Sequence, residues 1–172
     1  EEVFDYFASE ILRKTQGEIP NFLLQTALFP RSTVKIADKL TWLPSSGHIL
    51  SRLNKDNYFT ERRLERESIY QFHPLFREFL LARGENSFSE EARFSLRQHA
   101  AILLEEDGQV EAAIALLQKI KEWDGVIRLI SEYAPSMVSQ GRHRVLKVWL
   151  QLLLNPIFVD GHWFSCWWGL LG

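Results

Sequence analysis

The chain has 172 residues, of which 46% are hydrophobic and 13% aromatic, enough to bury a substantial core in one domain or two small ones. A formal net charge of -2 offers no global attraction to nucleic acid or anionic lipid, so binding of that kind would need a local patch. One cysteine, Cys166, excludes an internal disulfide and a cysteine-based zinc site and fits a reducing compartment.

In chain order, VFDYFASEILRKT places Val3, Phe4, Phe7, Ile11 and Leu12 on one helical face, and Gln16-Gly17 ends the pattern. Ile19, Phe22, Leu23, Leu24, Ala27 and Leu28 predict a second helix, broken at Pro30. Thr33 is placed to cap a short third helix carrying Val34, Ile36, Ala37 and Leu40. Leu43-Pro44-Ser45-Ser46-Gly47 punctuates before a fourth with Ile49, Leu50 and Leu53. The pattern then changes: in NYFTERRLERESIYQF, aromatic and β-branched residues at 58–60 and 69–72 flank a charged tip of Arg62, Arg63, Glu65, Arg66 and Glu67. That is the signature of a β-hairpin with a solvated turn, and helices followed by a hairpin is the order of a winged helix. Pro74 opens another helix with Leu75, Phe76, Phe79 and Leu80 inward, ending at Arg83-Gly84.

From residue 87 onward the pattern is helical throughout. Ser87 and Glu90 fit a capping box, and the helix they start runs to Glu105-Glu106-Asp107-Gly108. QVEAAIALLQKI, WDGVIRLISEYA, RHRVLKVWLQLL and HWFSCWWGLL follow as short helices with short joins. Hairpins of this size suggest a repeat array in which each unit buries its apolar face on its neighbour. The expected fold class is mainly α: a winged helix with a small β-hairpin, followed by an array of α-helical hairpins. The expected division is a linker helix over 1–16, a winged helix over 17–84 and a helical, tetratricopeptide-like region over 85–172. Both ends look cut, since the start lacks a clear helix cap and the closing aromatic residues have no later partner. No signal peptide is expected at the acidic start. The stretch VWLQLLLNPIFVDGHWFSCWWGLLG is interrupted at Asn155-Pro156 and Asp160-Gly161-His162, and so reads as helix, turn, helix rather than a membrane span.

Chemistry is sparse. None of the nine glycines sits in a phosphate-binding loop ending in Lys-Ser or Lys-Thr, so this chain alone is not expected to hold or hydrolyse a nucleoside triphosphate. The histidines at 48, 73, 99, 143 and 162 are scattered, and no metal site is expected. No nucleophile elbow or cysteine signature is present, Cys166 between Phe164 and Trp167 suits core or interface, and no catalytic residue is expected. Arg62, Arg63 and Arg66 on the hairpin, with Arg52 and Lys55, could touch phosphates, but Glu61, Glu65 and Glu67 interleave with them and nearly cancel the field.

His73 stands out. A residue before proline is pushed toward extended backbone and proline favours the first helical position, so His73 should stand at the threshold of the helix opened by Pro74. Two readings stand side by side. A capping or packing histidine is the commoner fate of a lone imidazole; a phosphate-holding group beside the positive end of a helix is the other.

The segment YQFHPLFREFLLAR resembles the winged-helix segment of the STAND class of signalling ATPases, specifically the MalT-type regulators with a LuxR-type DNA-binding end. FDYFASEIL, FLLQTALFPRSTVKIADKLT and ILSRLNKDNYF are similar to the same family, and HAAILLEEDGQVEAAIALLQKIKEWDGVIRLI resembles the helical hairpins leading into its tetratricopeptide-like sensor. The resemblance implies that His73 contacts the β-phosphate of ADP held by a separate nucleotide-binding module, locking a resting state. Pro74 and Leu75 follow the histidine, as in the bacterial branch, where the eukaryotic branch has aspartate next, so aspartate-dependent contacts are not carried over. Trp42 departs from the small residue expected after KLT.

On this resemblance the chain is a noncatalytic regulatory piece of an ATP-dependent, LuxR- and MalT-type transcriptional regulator, relaying inducer binding to an ADP-locked module that this chain lacks. The piece itself takes no cofactor, whereas the intact protein takes ATP or ADP with magnesium and is at most a slow ATPase. Its partners are the upstream nucleotide-binding module, further copies on activation, and a small-molecule or protein inducer. Neither nucleic acid nor membrane is expected to bind this piece directly, and the expected compartment is the cytoplasm. The competing reading is a free-standing winged-helix DNA-binding protein whose helical tail dimerises.

Overall fold

The structure is a computed structural model that describes residues 2–15, 17–56, 60–64 and 67–160. It is mainly helical, with one small antiparallel sheet, as a winged helix followed by further helices. Two compact units divide between Leu116 and Leu117.

In the first unit, α1 (Glu2–Lys14) and α2 (Ile19–Thr26) precede the two-residue strand β1 (Ser32–Thr33), α3 (Val34–Thr41) and α4 (Ser46–Lys55). Ile11 and Leu12 of α1 pack on the core; the side chains of Val3, Phe4 and Phe7 lie outside the described residues. Thr33 caps α3 as expected, its hydroxyl accepting from the Ile36 N–H at 3.4 Å. A Cβ on Gly47 would stand 3.2 Å from Val34 Cγ1, so α4 approaches α3 more closely than a larger residue would allow.

The hairpin is β2 (Thr60–Leu64) against β3 (Ser68–Phe72). Tyr58, Phe59, Glu65 and Arg66, which the hairpin reading also used, lie outside the described residues. β1 adds a third strand, giving the order β1-β3-β2 with Ser32 opposite Tyr70. Two residues are too few to show a strand period, which is why β1 is invisible in the sequence.

The next helix, α5 (Pro74–Ser87), runs past Gly84 rather than stopping there. Its inner side is Phe76 and Leu80, fully buried one turn apart, and they join Phe22, Leu23 and Leu50 in the core. Leu75, expected inward, is 52% exposed, because one residue of rotation carries it off the stripe that Phe76 defines. The expected cap at Ser87 also falls elsewhere. Ser87 is the last residue of α5, with its hydroxyl donating to the Arg83 carbonyl, and Ser89 caps the next helix by accepting from Ala92 N–H at 3.2 Å.

That helix, α6 (Glu90–Glu106), is tied to the winged helix at both ends. Near its start Glu85 of α5 receives Arg93, at 3.1 Å, and Arg97. At its end Lys39 of α3 meets Glu106 at 2.6 Å, and beyond it Gln109 donates to the Arg31 carbonyl at 3.0 Å. α7 (Val110–Lys119) follows after Gly108, whose φ of 75° is a glycine conformation.

In the second unit, α8 (Trp123–Ser139) and α9 (His143–Asp160) pack on each other, joined at Gly141. Each contains a proline, and the interruption expected at Asn155-Pro156 is absent. α8 continues past Pro135 and α9 past Asn155-Pro156, each at the loss of one backbone hydrogen bond rather than of the helix. Val126, Leu129, Ile130, Met137 and Trp149 are buried here. The expected break at Gly161-His162 and the final aromatic helix, with Trp163, Phe164, Cys166, Trp167 and Trp168, lie outside the described residues.

Trp42 ends α3 with φ 57° and ψ 24°, the left-handed conformation that favours glycine, so the small residue expected there has a backbone reason. The indole is 80% exposed, with its ring centroid 5.8 Å from that of His99.

Two outcomes follow from this core. Phe76→Ala should destabilise the protein by about 3–5 kcal/mol in denaturant unfolding, with the midpoint reading the loss of a fully buried ring. Trp42→Gly should instead stabilise it by about 0.5–1 kcal/mol, because little burial is lost and the left-handed strain disappears; a lower melting temperature would contradict this.

Candidate functional site

Strand alternation sets up His73. Tyr70 and Phe72 point into the core and Gln71 does not, so the next outward position is residue 73. β3 is held on both sides, by β1 and by β2, with Phe72 opposite Thr60, and the Tyr70 hydroxyl lies 3.2 Å from Ser51 Oγ. At φ -53° and ψ 136°, His73 has the extended backbone that a following proline demands, and Pro74 starts α5. The His73 carbonyl accepts from Arg77 N–H at 2.9 Å and closes the first turn. Its side chain makes no capping hydrogen bond, and the residue is exposed, as are Pro74 and Leu75.

The core side of this junction is aromatic. Phe72 and Phe76 meet edge to face with centroids 5.9 Å apart, and Phe76 lies parallel to Phe79 at 6.5 Å. One turn into α5, Arg77 turns back toward the end of α2. Its Nε donates to the Phe29 carbonyl at 3.3 Å and an Nη to the Leu28 carbonyl at 3.2 Å. Burial lowers the Arg77 pKa, but a guanidinium stays charged at any physiological pH. Sequence reasoning missed this residue, because an arginine four positions after His73 on a helix reads as a solvated side chain.

The hairpin cations are locally engaged. Arg62 donates to Ser68 Oγ at 2.9 and 3.2 Å, Arg63 lies 3.7 Å from Glu61, and Arg52 lies 3.7 Å from Asp56. Among the described residues no group of three or more His, Cys, Asp or Glu converges, and no helix is long and apolar enough to cross a membrane.

Residues 8–92 match the MalT winged helix domain. The chain is 23% identical over 158 residues to the HTH-type transcriptional regulator MalT of Vibrio parahaemolyticus, covering 89% of this chain and 17% of that protein. It is 22% identical over 145 residues to the protein of the same name from Vibrio campbellii, covering 84% and 16%. The chain thus spans about a sixth of the length of these curated relatives. The matched residues hold α2 to α5, the three-stranded sheet and the β3–α5 junction. By fold and by sequence, then, residues 8–92 of this chain form a winged-helix domain of the MalT type.

Proposed function

We propose that this chain is the relay segment of a STAND-type transcriptional regulator. Its winged helix docks on an upstream nucleotide-binding module, His73 holds a phosphate oxygen of bound ADP, and the helices after residue 85 begin an inducer-sensing array. The single observation that supports this best is the exposure of His73 at a strand-to-helix junction whose strand is paired on both sides. An imidazole N–H fits a phosphate oxygen because the contact is charge-assisted yet reversible. Exposed Pro74 and Leu75 beside it supply an apolar rim for a docked module.

In this reading the chain performs no bond-breaking step. Its residues hold one conformation, and inducer acts by favouring the open form through its differential affinity for it. Release of the contact then permits exchange of ADP for ATP with magnesium on the upstream module, followed by self-association. The regulator works in the cytoplasm, and DNA is bound by a part of it other than this one. Carboxylates beside Arg52 and Arg63, each at 3.7 Å, support that last point over a free-standing DNA-binding winged helix.

The test is ADP release from the full-length regulator. His73→Ala should speed release by about tenfold to a hundredfold, the effect of one hydrogen bond to a charged group, and raise inducer-independent transcription. Release at the wild-type rate would overturn the reading. A second check separates it from direct DNA binding: this chain alone should give no salt-dependent shift of duplex DNA, whereas a drop in affinity of about a thousandfold between roughly 50 and 200 mM salt marks a phosphate-contacting protein.

A further inference from the structure

We propose that Arg77 is a positioning residue for His73, fixing the first turn of α5 against the end of α2 so that the imidazole is displayed in one place. The inference rests on the reading of His73 above and deepens it.

The backbone circuit makes the case. On its strand side His73 is held by the pairing of β3 with β1 and β2. On its helix side Pro74 starts α5, and the first turn closes, as in any α-helix, through Arg77 N–H onto the His73 carbonyl. The same residue that closes the turn sends its guanidinium to two successive carbonyls, Leu28 and Phe29. Those carbonyls lie just beyond α2, a helix with no basic residue in its last turn and an α-conformation Ala27 as its C-cap, so it brings no cation or glycine cap of its own.

The segment that Arg77 grips is a firm reference. Arg31, two residues on, accepts from Gln109 at 3.0 Å, and Ser32 and Thr33 pair with Tyr70 and Ile69 of β3. Residues 28–33 therefore run from the Arg77 contact directly into the strand that supports His73, which closes a loop of bonds around the junction. Fork geometry matters here, since Nε and Nη of one planar group reach adjacent carbonyls together and a lysine ammonium does not reproduce that. Burial disfavours the Arg77 cation and lowers its pKa, which makes its two carbonyl acceptors costly to lose.

The experiment compares four variants of the full-length regulator: Arg77→Met, Arg77→Lys, His73→Ala and the double variant His73→Ala/Arg77→Met. ADP release is measured, together with amide hydrogen exchange at residues 75–80. Arg77→Met should speed release by about fivefold, with Arg77→Lys closer to wild type. The double variant should release ADP no faster than His73→Ala, because Arg77 acts through the imidazole. Exchange should quicken in the first turn of α5 and stay slow at buried Leu80. Arg77→Met with wild-type release beside a fast His73→Ala would overturn the inference and leave the proposed function standing. Multiplying effects in the double variant, or fast exchange throughout the core, would overturn it too, by showing an independent or a general structural role. Unchanged release in His73→Ala would instead bring down the function itself.

Discussion

The edge-to-face contact of Phe72 with Phe76 is what the rest of this surface depends on. One ring ends a strand and the other opens the inner face of a helix, and both are buried, so the three residues between them are held to one path. Outward exposure of His73 is then a by-product of core packing. A strand that sends residues 70 and 72 inward must send residue 73 outward, and the proline after it forbids an α conformation that would fold the ring back.

Around this junction the domain uses polar contacts where apolar ones are lacking. α5 is anchored below by Phe76 and Leu80 and sideways by a guanidinium on two carbonyls. α6 is joined to it by a carboxylate shared between two arginines and reaches α3 again at its far end. The helix after the winged helix is consequently part of the same compact unit. Any displacement of α6 would therefore pull on residues bonded to the domain that carries His73.

Much of this was legible in the sequence, and the parts that were not share a cause. The core positions Phe22, Leu50, Leu53, Phe76 and Leu80, the Thr33 cap and the hairpin all follow from period and local chemistry, which act over a few residues. The winged-helix resemblance, carried by the order of elements, agrees with the domain that matches residues 8–92. Misread features were those decided by distant partners. Gly84 and Pro156 stay helical, against propensity costs of about 1 and about 3 kcal/mol, and Ser87 loses the cap to Ser89. β1 exists only because β3 is beside it, and Arg77 has meaning only once Leu28 and Phe29 are in place, 48 and 49 residues away.

Acidification distinguishes the tethers of this domain. The Lys39 hydrogen bond, and then its charge, hold the Glu106 carboxyl below the usual carboxylate range. A depressed carboxyl contributes above its unfolded pKa and fades as protons fill the folded site, so the α3–α6 bridge weakens in acid. The Arg77 fork has no titrating acceptor, since amide oxygens do not take up protons in that range and the guanidinium keeps its own. Acid below the usual carboxylate range thus loosens the α3–α6 bridge and leaves the α2–α5 grip beside His73 intact.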